Sequence, residues 1–280
     1  MEKIKSFIDN NLSFYRTEHY FERYGEFQSI EEFHEYCNWA KANNVKVYIL
    51  GNGSNTLFVK KNIKTLIVKN NISKSINYLS ANRFEVSSAT LIMDVLKYCY
   101  DNSLSSFYFL ASVPATIGGA LAMNAGGGKN STTIYEFVEN VTFFDFESNN
   151  IRTIDKEEIV KGHRETIFTG IHSRLILSAT FKFYHTSFDE NPITTRLKWS
   201  KKFQDYSLPN CGSVFKEGYL RIPKYLSWLK IGKTSYSSKA PNWICNKSSS
   251  HIPIIILINI VKILHVFSPR KAILEIISVD

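Results

Sequence analysis

The sequence predicts an α+β chain folded as two or three small domains. Three features point there: a capped helix feeding a strand near the N-terminus, a strand rich in β-branched residues near the middle, and glycine-centred segments in between. A chain of 280 residues, 44% hydrophobic and 14% aromatic, has enough apolar side chain to build such cores. The first helix is read over Ser29–Asn43, where Ser29 and Glu32 form a capping-box pattern and Phe33, Tyr36, Cys37 and Ala40 recur at helical spacing. It feeds an apolar strand, Val45–Leu50, which enters a GNGSN loop at Gly51–Asn55. Leu57–Val59 and Thr65–Val68 read as further strands, closing a small α/β region near residue 70.

A second region follows, with a strand at Phe84–Ser88, a helix at Ile92–Asn102, a glycine segment (SVPATIGGALAMNAGG, Ser112–Gly127) and a strand at Val138–Asp145. Arg174–Phe183 is the clearest strand of the chain, and the polar stretch Thr186–Thr195 with Pro192 reads as a linker. Beyond it lie a helix, a glycine-bearing turn at Asn210–Lys216 and an apolar stretch, Ile252–Phe267. Pro253, Asn259, Lys262 and His265 interrupt that stretch, which is too short to span a bilayer and reads as a buried helix packed inside a domain.

Lys and Arg exceed Asp and Glu by 34 − 25 = 9, which favours an anionic partner. No dense basic run with interleaved aromatics stands out, which argues against nucleic acid. The four cysteines, Cys37, Cys99, Cys211 and Cys245, form no CxxC pair and have no histidine at zinc-ligand spacing, so reduced thiols and no metal are expected. The start, MEKIKSFIDNN, holds no signal-peptide core, and a cytoplasmic location without membrane contact is expected.

The glycine segments carry the functional signal. Gly118, Gly119, Gly126, Gly127 and Gly128 place five of the 13 glycines within eleven positions, about sixty residues after GNGSN. Small residues let a pyrophosphate approach main-chain N–H groups. Neither segment has the GxGxxG spacing of a Rossmann turn or the spacing of a P-loop, so the expected ligand is a dinucleotide held in another way.

Five motifs, in order, resemble those of the UDP-N-acetylenolpyruvoylglucosamine reductase family, also called UDP-N-acetylmuramate dehydrogenase. Leu50–Asn55 is similar to its LGxGSN loop and Val113–Gly126 to its IPGTxGGAxxMNAG segment. His163–Phe168 (HRETIF) is similar to YRxSxF, Cys211–Lys216 to AGSxFK, and Lys239–Asn246 (KAPNWICN) to KHANFIVN. The resemblance implies an FAD-binding fold of the vanillyl-alcohol-oxidase type in two parts, residues 1–70 and 71–190, plus a C-terminal α+β substrate domain, 196–280. It also implies that NADPH reduces the flavin and is replaced by a UDP-sugar, UDP-N-acetylglucosamine enolpyruvate, whose enol ether is reduced by a monomer or weak oligomer.

The cofactor-binding residues implied are Leu50, Gly51, Asn52, Gly53, Ser54, Asn55 and Thr56, with Ser112, Pro114, Ala115, Thr116, Gly118, Gly119, Met123, Asn124 and Gly126. Lys216, Lys239 and Asn242 fall at substrate positions. Adding hydride to one carbon of the enol ether leaves negative charge beside a carboxylate, which calls for a fixed cation, and Arg164 is that candidate. Ser213 matches the family's proton-donating serine.

The chain departs from the family pattern in places. Ile277 stands where a C-terminal LExEV pattern carries a catalytic Glu, and Glu275 is the nearby carboxylate that could substitute; strand alternation would give 275 and 277 the same facing. His163 replaces Tyr, Glu217 replaces Asn, Ala240 replaces His, and Ala115 replaces a Gly, which requires a negative φ. The short run from Phe168 to Arg174 resembles the family's shorter subclass, without a tyrosine loop. Two alternatives stay open: a flavoprotein paralogue reducing a different nucleotide sugar, and an FAD-binding protein whose catalysis is impaired.

Overall fold

The computed structural model describes residues 3–127, 132–219, 221–266 and 268–280; Gly128 of the glycine segment and Phe267 of the apolar stretch lie outside the described residues. The first helix forms over Ile30–Ala42. The Ser29 hydroxyl accepts from the Glu32 N–H at 3.2 Å, and Glu32 reaches back to accept the Gln28 N–H at 2.8 Å. Its buried face is Phe33, Tyr36, Cys37 and Ala40, the four residues that the periodicity selects.

Two units organise the chain: Gly25–Asn52 with Ile67–Ser200, and Glu2–Tyr24 with Gly53–Leu66 and Lys201–Asp280. The first is built on a five-stranded antiparallel sheet in the order Asn150–Asp155, Val138–Asp145, Arg174–Lys182, Arg83–Ser87, Ile76–Ser80. Across its three central strands Val141 lies opposite Ala179 and Ala179 opposite Val86, all fully or nearly fully buried. Helix Ile92–Asp101 contributes Ile92, Val95, Leu96 and Cys99 to the same core, at the spacing of one helical face. Phe107, Phe181 and Phe183 pack there with ring centroids 5.5–5.9 Å apart, each burial contributing about 1.5–3 kcal/mol before the entropy of ordering is subtracted.

In the second unit, residues from the N-terminal third fold with the C-terminal eighty. Strand Thr56–Phe58 pairs in parallel with Ile277–Val279, and Phe215–Glu217 pairs with Ile273–Leu274. Tyr15, Leu57, Val214, Phe215, Tyr236 and Ile244 share one core with residues of helix Ile252–Val266. Thr17 and His19 are buried here as well: the His19 Nδ1–H donates to the Lys60 carbonyl at 2.6 Å, and its Nε2 accepts from the Thr17 hydroxyl at 2.7 Å. Burial, followed by the neighbouring His251 and Lys61, pulls His19 down to about 4 against the lift of the Lys60 bond.

Two expectations need correction. Pro192, read as part of a linker, opens helix Pro192–Phe203. Asn191 caps it, its Oδ1 accepting the N–H groups of Ile193 at 2.9 Å and Thr194 at 3.1 Å, so proline sits where its missing N–H costs nothing. Helix Ile252–Val266 is not buried all round. Ile254, Leu257, Ile258, Val261 and His265 face the core, whereas Ile252, Ile256, Ile263, Leu264 and Val266 are exposed.

All four cysteines are free and buried, and burial pushes each thiol up to about 12. No helix among the described residues is long and apolar enough to cross a membrane.

Candidate active site

Within the first unit the two glycine segments meet. Asn52 donates its Nδ2–H to the Pro114 carbonyl at 2.7 Å. A Cβ at Gly51 would stand 2.8 Å from the Thr116 hydroxyl, so the loop can approach the second segment only as bare backbone. Thr116 caps the short helix Ile117–Ala122 by accepting the Gly119 N–H at 3.2 Å. Ala115 is absent from the residues with positive φ, so its methyl group is accommodated. Leu50 is buried in the strand that feeds the loop.

Arg164 is fastened to the far end of the same segment. It adopts a left-handed backbone (φ 55°), and its guanidinium donates to the carbonyls of Asn124 at 3.0 Å and Gly126 at 2.7 Å. A carbonyl acceptor orients a guanidinium and carries no net charge of its own. Asn124, also left-handed (φ 44°), donates its Nδ2–H to the Gly162 carbonyl at 3.0 Å, closing a loop of contacts around Arg164. A Cβ at Gly126 would lie 2.6 Å from the Thr132 carbonyl and 3.2 Å from Arg164 Nη1.

Three residues outside the sequence reading hold this arrangement. The Thr166 and Thr169 hydroxyls both donate to the Ala122 carbonyl, at 2.9 and 2.6 Å, pinning the end of the 117–122 helix to the HRETIF stretch. His172 accepts the Ile49 N–H on Nδ1 at 3.2 Å and packs on Tyr48, steadying the strand that leads to Gly51; burial pulls its imidazole down to about 4. The threonines lie in or beside a recognised motif, whereas His172 carried no signal.

The remaining candidates lie in the second unit: Gly53, Ser54, Asn55, Thr56, Ser213, Lys216, Lys239, Asn242 and Glu275. Ser213 sits on an antiparallel bridge with Trp243. Asn242 serves the backbone beside it, donating to the Phe215 carbonyl at 2.8 Å and accepting the Phe215 N–H at 3.1 Å. Lys239 extends its ammonium to the Lys201 carbonyl at 2.6 Å. Its loop is held by Ser237, whose hydroxyl donates to Asp205 at 2.6 Å and accepts the N–H groups of Lys239 and Ala240. Partial burial raises the Asp205 pKa, but hydrogen bonds from Ser207, Ser237 and Cys245 outweigh it and hold the carboxyl near 2.

The C-terminal carboxylate region differs from simple alternation. Glu275 and Ile276 form a bend between two short strands that pair with different partners. The Glu275 N–H donates to the Val214 carbonyl at 2.8 Å, the Asn55 side chain donates to the Glu275 carbonyl at 3.0 Å, and the Ile277 N–H donates to the Asn55 carbonyl at 2.9 Å. Ile276 is buried, with Glu275 and Ile277 half-buried on either side of it. The main chain thus places Glu275 one residue from Ser213 in the pairing register.

Two features of the first unit fit a bound FAD. Gly119 is exposed, and a Cβ there would meet only the Thr116 hydroxyl, at 3.4 Å, so the protein's own packing leaves this main chain bare for a phosphate to approach. The Asn124 Oδ1 is buried with no hydrogen-bond partner among the described residues, an acceptor that a ligand donor would satisfy.

A chain with this fold and this cradle falls in the class of FAD-binding proteins, and residues 23–154 match the family model described as an FAD binding domain. A UDP-N-acetylenolpyruvoylglucosamine reductase of Clostridium beijerinckii is 30% identical over 228 residues, covering 78% of this chain and 73% of that protein. One from Francisella tularensis is 33% identical over 184 residues, and the match spans 64% of its length. The UDP-N-acetylenolpyruvylglucosamine reductase structure from Thermus caldophilus shares the fold, with a TM-score of 0.79 at 18% identity and 99% of each chain covered. This chain belongs to the UDP-N-acetylenolpyruvoylglucosamine reductase family.

Proposed function

We propose that the chain uses NADPH and FAD to reduce the enol ether of UDP-N-acetylglucosamine enolpyruvate to UDP-N-acetylmuramate, a step of peptidoglycan precursor synthesis, in the cytoplasm. The observation that carries this reading is the Arg164 guanidinium fixed on the carbonyls of Asn124 and Gly126, within the segment whose bare backbone fits the cofactor. Leu50–Thr56 and Ser112–Gly126 hold the FAD in residues 1–70 and 71–190, and residues 196–280 receive the nucleotide sugar. When bound, FAD supplies the hydride that NADPH has delivered to it.

The chain's own residues do the rest. Arg164 grips the substrate carboxylate through two N–H groups and stabilises the charge that builds up beside it as one alkene carbon takes up hydride. Ser213 Oγ gives its proton to the other carbon, and the resulting oxyanion is reprotonated with help from Glu275, which its main chain holds beside Val214. Lys216 and Lys239 bind the diphosphate. Asn242 acts through Phe215, as a positioning residue for the Ser213–Phe215 turn.

The purified protein is expected to carry flavin, visible in its absorbance spectrum. After anaerobic reduction by NADPH, adding UDP-N-acetylglucosamine enolpyruvate restores the oxidised spectrum; no faster return than with buffer rejects the reading. Glu275→Gln is expected to slow that reoxidation. If Glu275→Gln is neutral and Ile277→Glu raises turnover, the relay belongs to position 277 instead.

A further inference from the structure

Two candidate segments of the second unit, the turn carrying Ser213 and the loop carrying Lys239, converge on one carboxylate that belongs to neither motif. Residues 205–214 run alongside residues 237–246: the Asn246 N–H donates to the Pro209 carbonyl at 2.9 Å, the Val214 N–H donates to the Asn242 carbonyl at 2.8 Å, and the Tyr206 and Trp243 rings meet edge to face at 5.4 Å. Asp205, half-buried, opens that pairing and takes four donors. Its Oδ1 accepts the Ser207 N–H at 3.1 Å and the Ser207 hydroxyl at 2.6 Å, and its Oδ2 accepts the Ser237 hydroxyl at 2.6 Å and the Cys245 thiol at 3.4 Å. A carboxylate has acceptor sites for all four, whereas an amide has one oxygen to offer.

The side chain and the main chain of Asp205 serve different segments. Its carboxylate takes the Ser237 proton, which leaves the Ser237 oxygen to accept the N–H groups of Lys239 at 3.1 Å and Ala240 at 2.9 Å and so fixes the start of the Lys239 loop. Its carbonyl accepts the Asn210 Nδ2–H at 3.0 Å, and the Asn210 Oδ1 in turn accepts the Gly212 N–H at 3.1 Å, one residue before Ser213. Gly212 has a left-handed backbone (φ 73°), so the Asn210 bond holds a turn that glycine makes accessible. Burying a carboxylate even in part costs desolvation, and every donor that offsets the cost here comes from the two segments that carry Ser213 and Lys239.

We propose that Asp205 is a positioning residue for the reduction of the nucleotide sugar: its carboxylate sets the Lys239 loop against the diphosphate, and its carbonyl, through Asn210, sets the turn from which Ser213 gives its proton. The inference rests on the roles given above to Lys239 and Ser213. It separates affinity from turnover. Asp205→Asn keeps the main-chain carbonyl, and its Oδ1 can still accept from Ser207, but its Nδ2 then faces the Ser237 hydroxyl as a donor. The Lys239 loop is released while the Ser213 turn stays held. Asn210→Ala does the reverse.

Flavoprotein titrated with dithionite and then mixed anaerobically with UDP-N-acetylglucosamine enolpyruvate reports both quantities. Asp205→Asn and Ser237→Ala are each expected to raise the half-saturating concentration about tenfold, with the limiting rate of reoxidation unchanged. The double variant is expected to be no weaker than either alone, because both substitutions cut one link. Asn210→Ala is expected to lower the limiting rate about tenfold and to leave half-saturation unchanged. Three outcomes overturn the proposal: Asp205→Asn lowers the denaturation midpoint and nothing else, the effects of Asp205→Asn and Ser237→Ala add, or Asp205→Asn and Asn210→Ala each change rate and half-saturation together, as a general loosening would. A wild type that fails to reoxidise defeats the reaction reading by itself, and calorimetric titration with UDP then carries the test. Binding about tenfold weaker in Asp205→Asn and Ser237→Ala than in wild type sustains the proposal, and equal binding or none overturns it.

Discussion

The stretch around Arg164 and the stretch around Ser213 are both built from recognised motifs, but they are held together in different ways. In the first unit, main-chain atoms do the holding: carbonyls of Asn124 and Gly126 take the guanidinium, and Gly51 and Gly126 leave no room for a Cβ. In the second, side chains serve the backbone: Asn242 brackets Phe215, Ser237 and Asp205 hold the Lys239 loop, and Asn55 tethers the 275–277 bend. Where main-chain geometry defines the site, few residues can be exchanged. Where a backbone tether places the C-terminal segment, the tether does not fix the identity of its half-buried side chains, Ile277 among them.

Four measurements bear on that contrast. The largest effect is expected for Arg164→Ala, about 10³-fold in turnover, with flavin content kept because the cradle backbone remains; a variant that loses its flavin first would show that Arg164 builds the cradle. Asn242→Ala strips both groups that satisfy the Phe215 main chain and is expected to lower stability by about 2 kcal/mol. An unchanged denaturation midpoint would make Asn242 a substrate ligand after all.

Acid is expected to weaken the second unit through His19. The unfolded imidazole takes up its proton near pH 6.5 and the folded one near 4, so the unfolded chain binds more protons between these values. The contribution is whole above pH 6.5 and is lost as pH drops towards 4, the loss amounting to about 2 kcal/mol at pH 5. His19→Gln, followed by denaturant unfolding at pH 8 and pH 5, should flatten that dependence. The smallest change in stability is expected for Gly119→Ala, within about 1 kcal/mol and towards greater stability, since the new methyl meets only the Thr116 hydroxyl. Its FAD affinity should nonetheless fall by at least about tenfold in flavin titrations of the apoprotein; unaltered affinity would remove Gly119 from the cradle.

Much of the first unit was legible from local pattern. The capped helix, the helix at 92–101 and the strands at 138–145 and 174–182 appear where their periodicity and β-branched content indicate. The long strand His19–Phe27 escaped reading because Glu22, Arg23 and Glu26 obscure its alternation. Asn150–Asp155 is an edge strand, exposed along almost its whole length, and carries no apolar face to detect. Two-residue strands such as Ile273–Leu274 have no pattern at all and exist because a partner is present.

By itself, the sequence displayed the two glycine segments and, through the family resemblance, the candidate cation Arg164, and it determined the helices and strands whose burial follows from their own period, since a period depends on neighbours within a few residues. Tertiary structure alone decided that Asn52 reaches Pro114, that Asn55 tethers residues 275–277, and that the N-terminal strands fold with the last eighty residues. It also decided which face of helix Ile252–Val266 is buried, because an apolar helix can bury either side and only its neighbours choose.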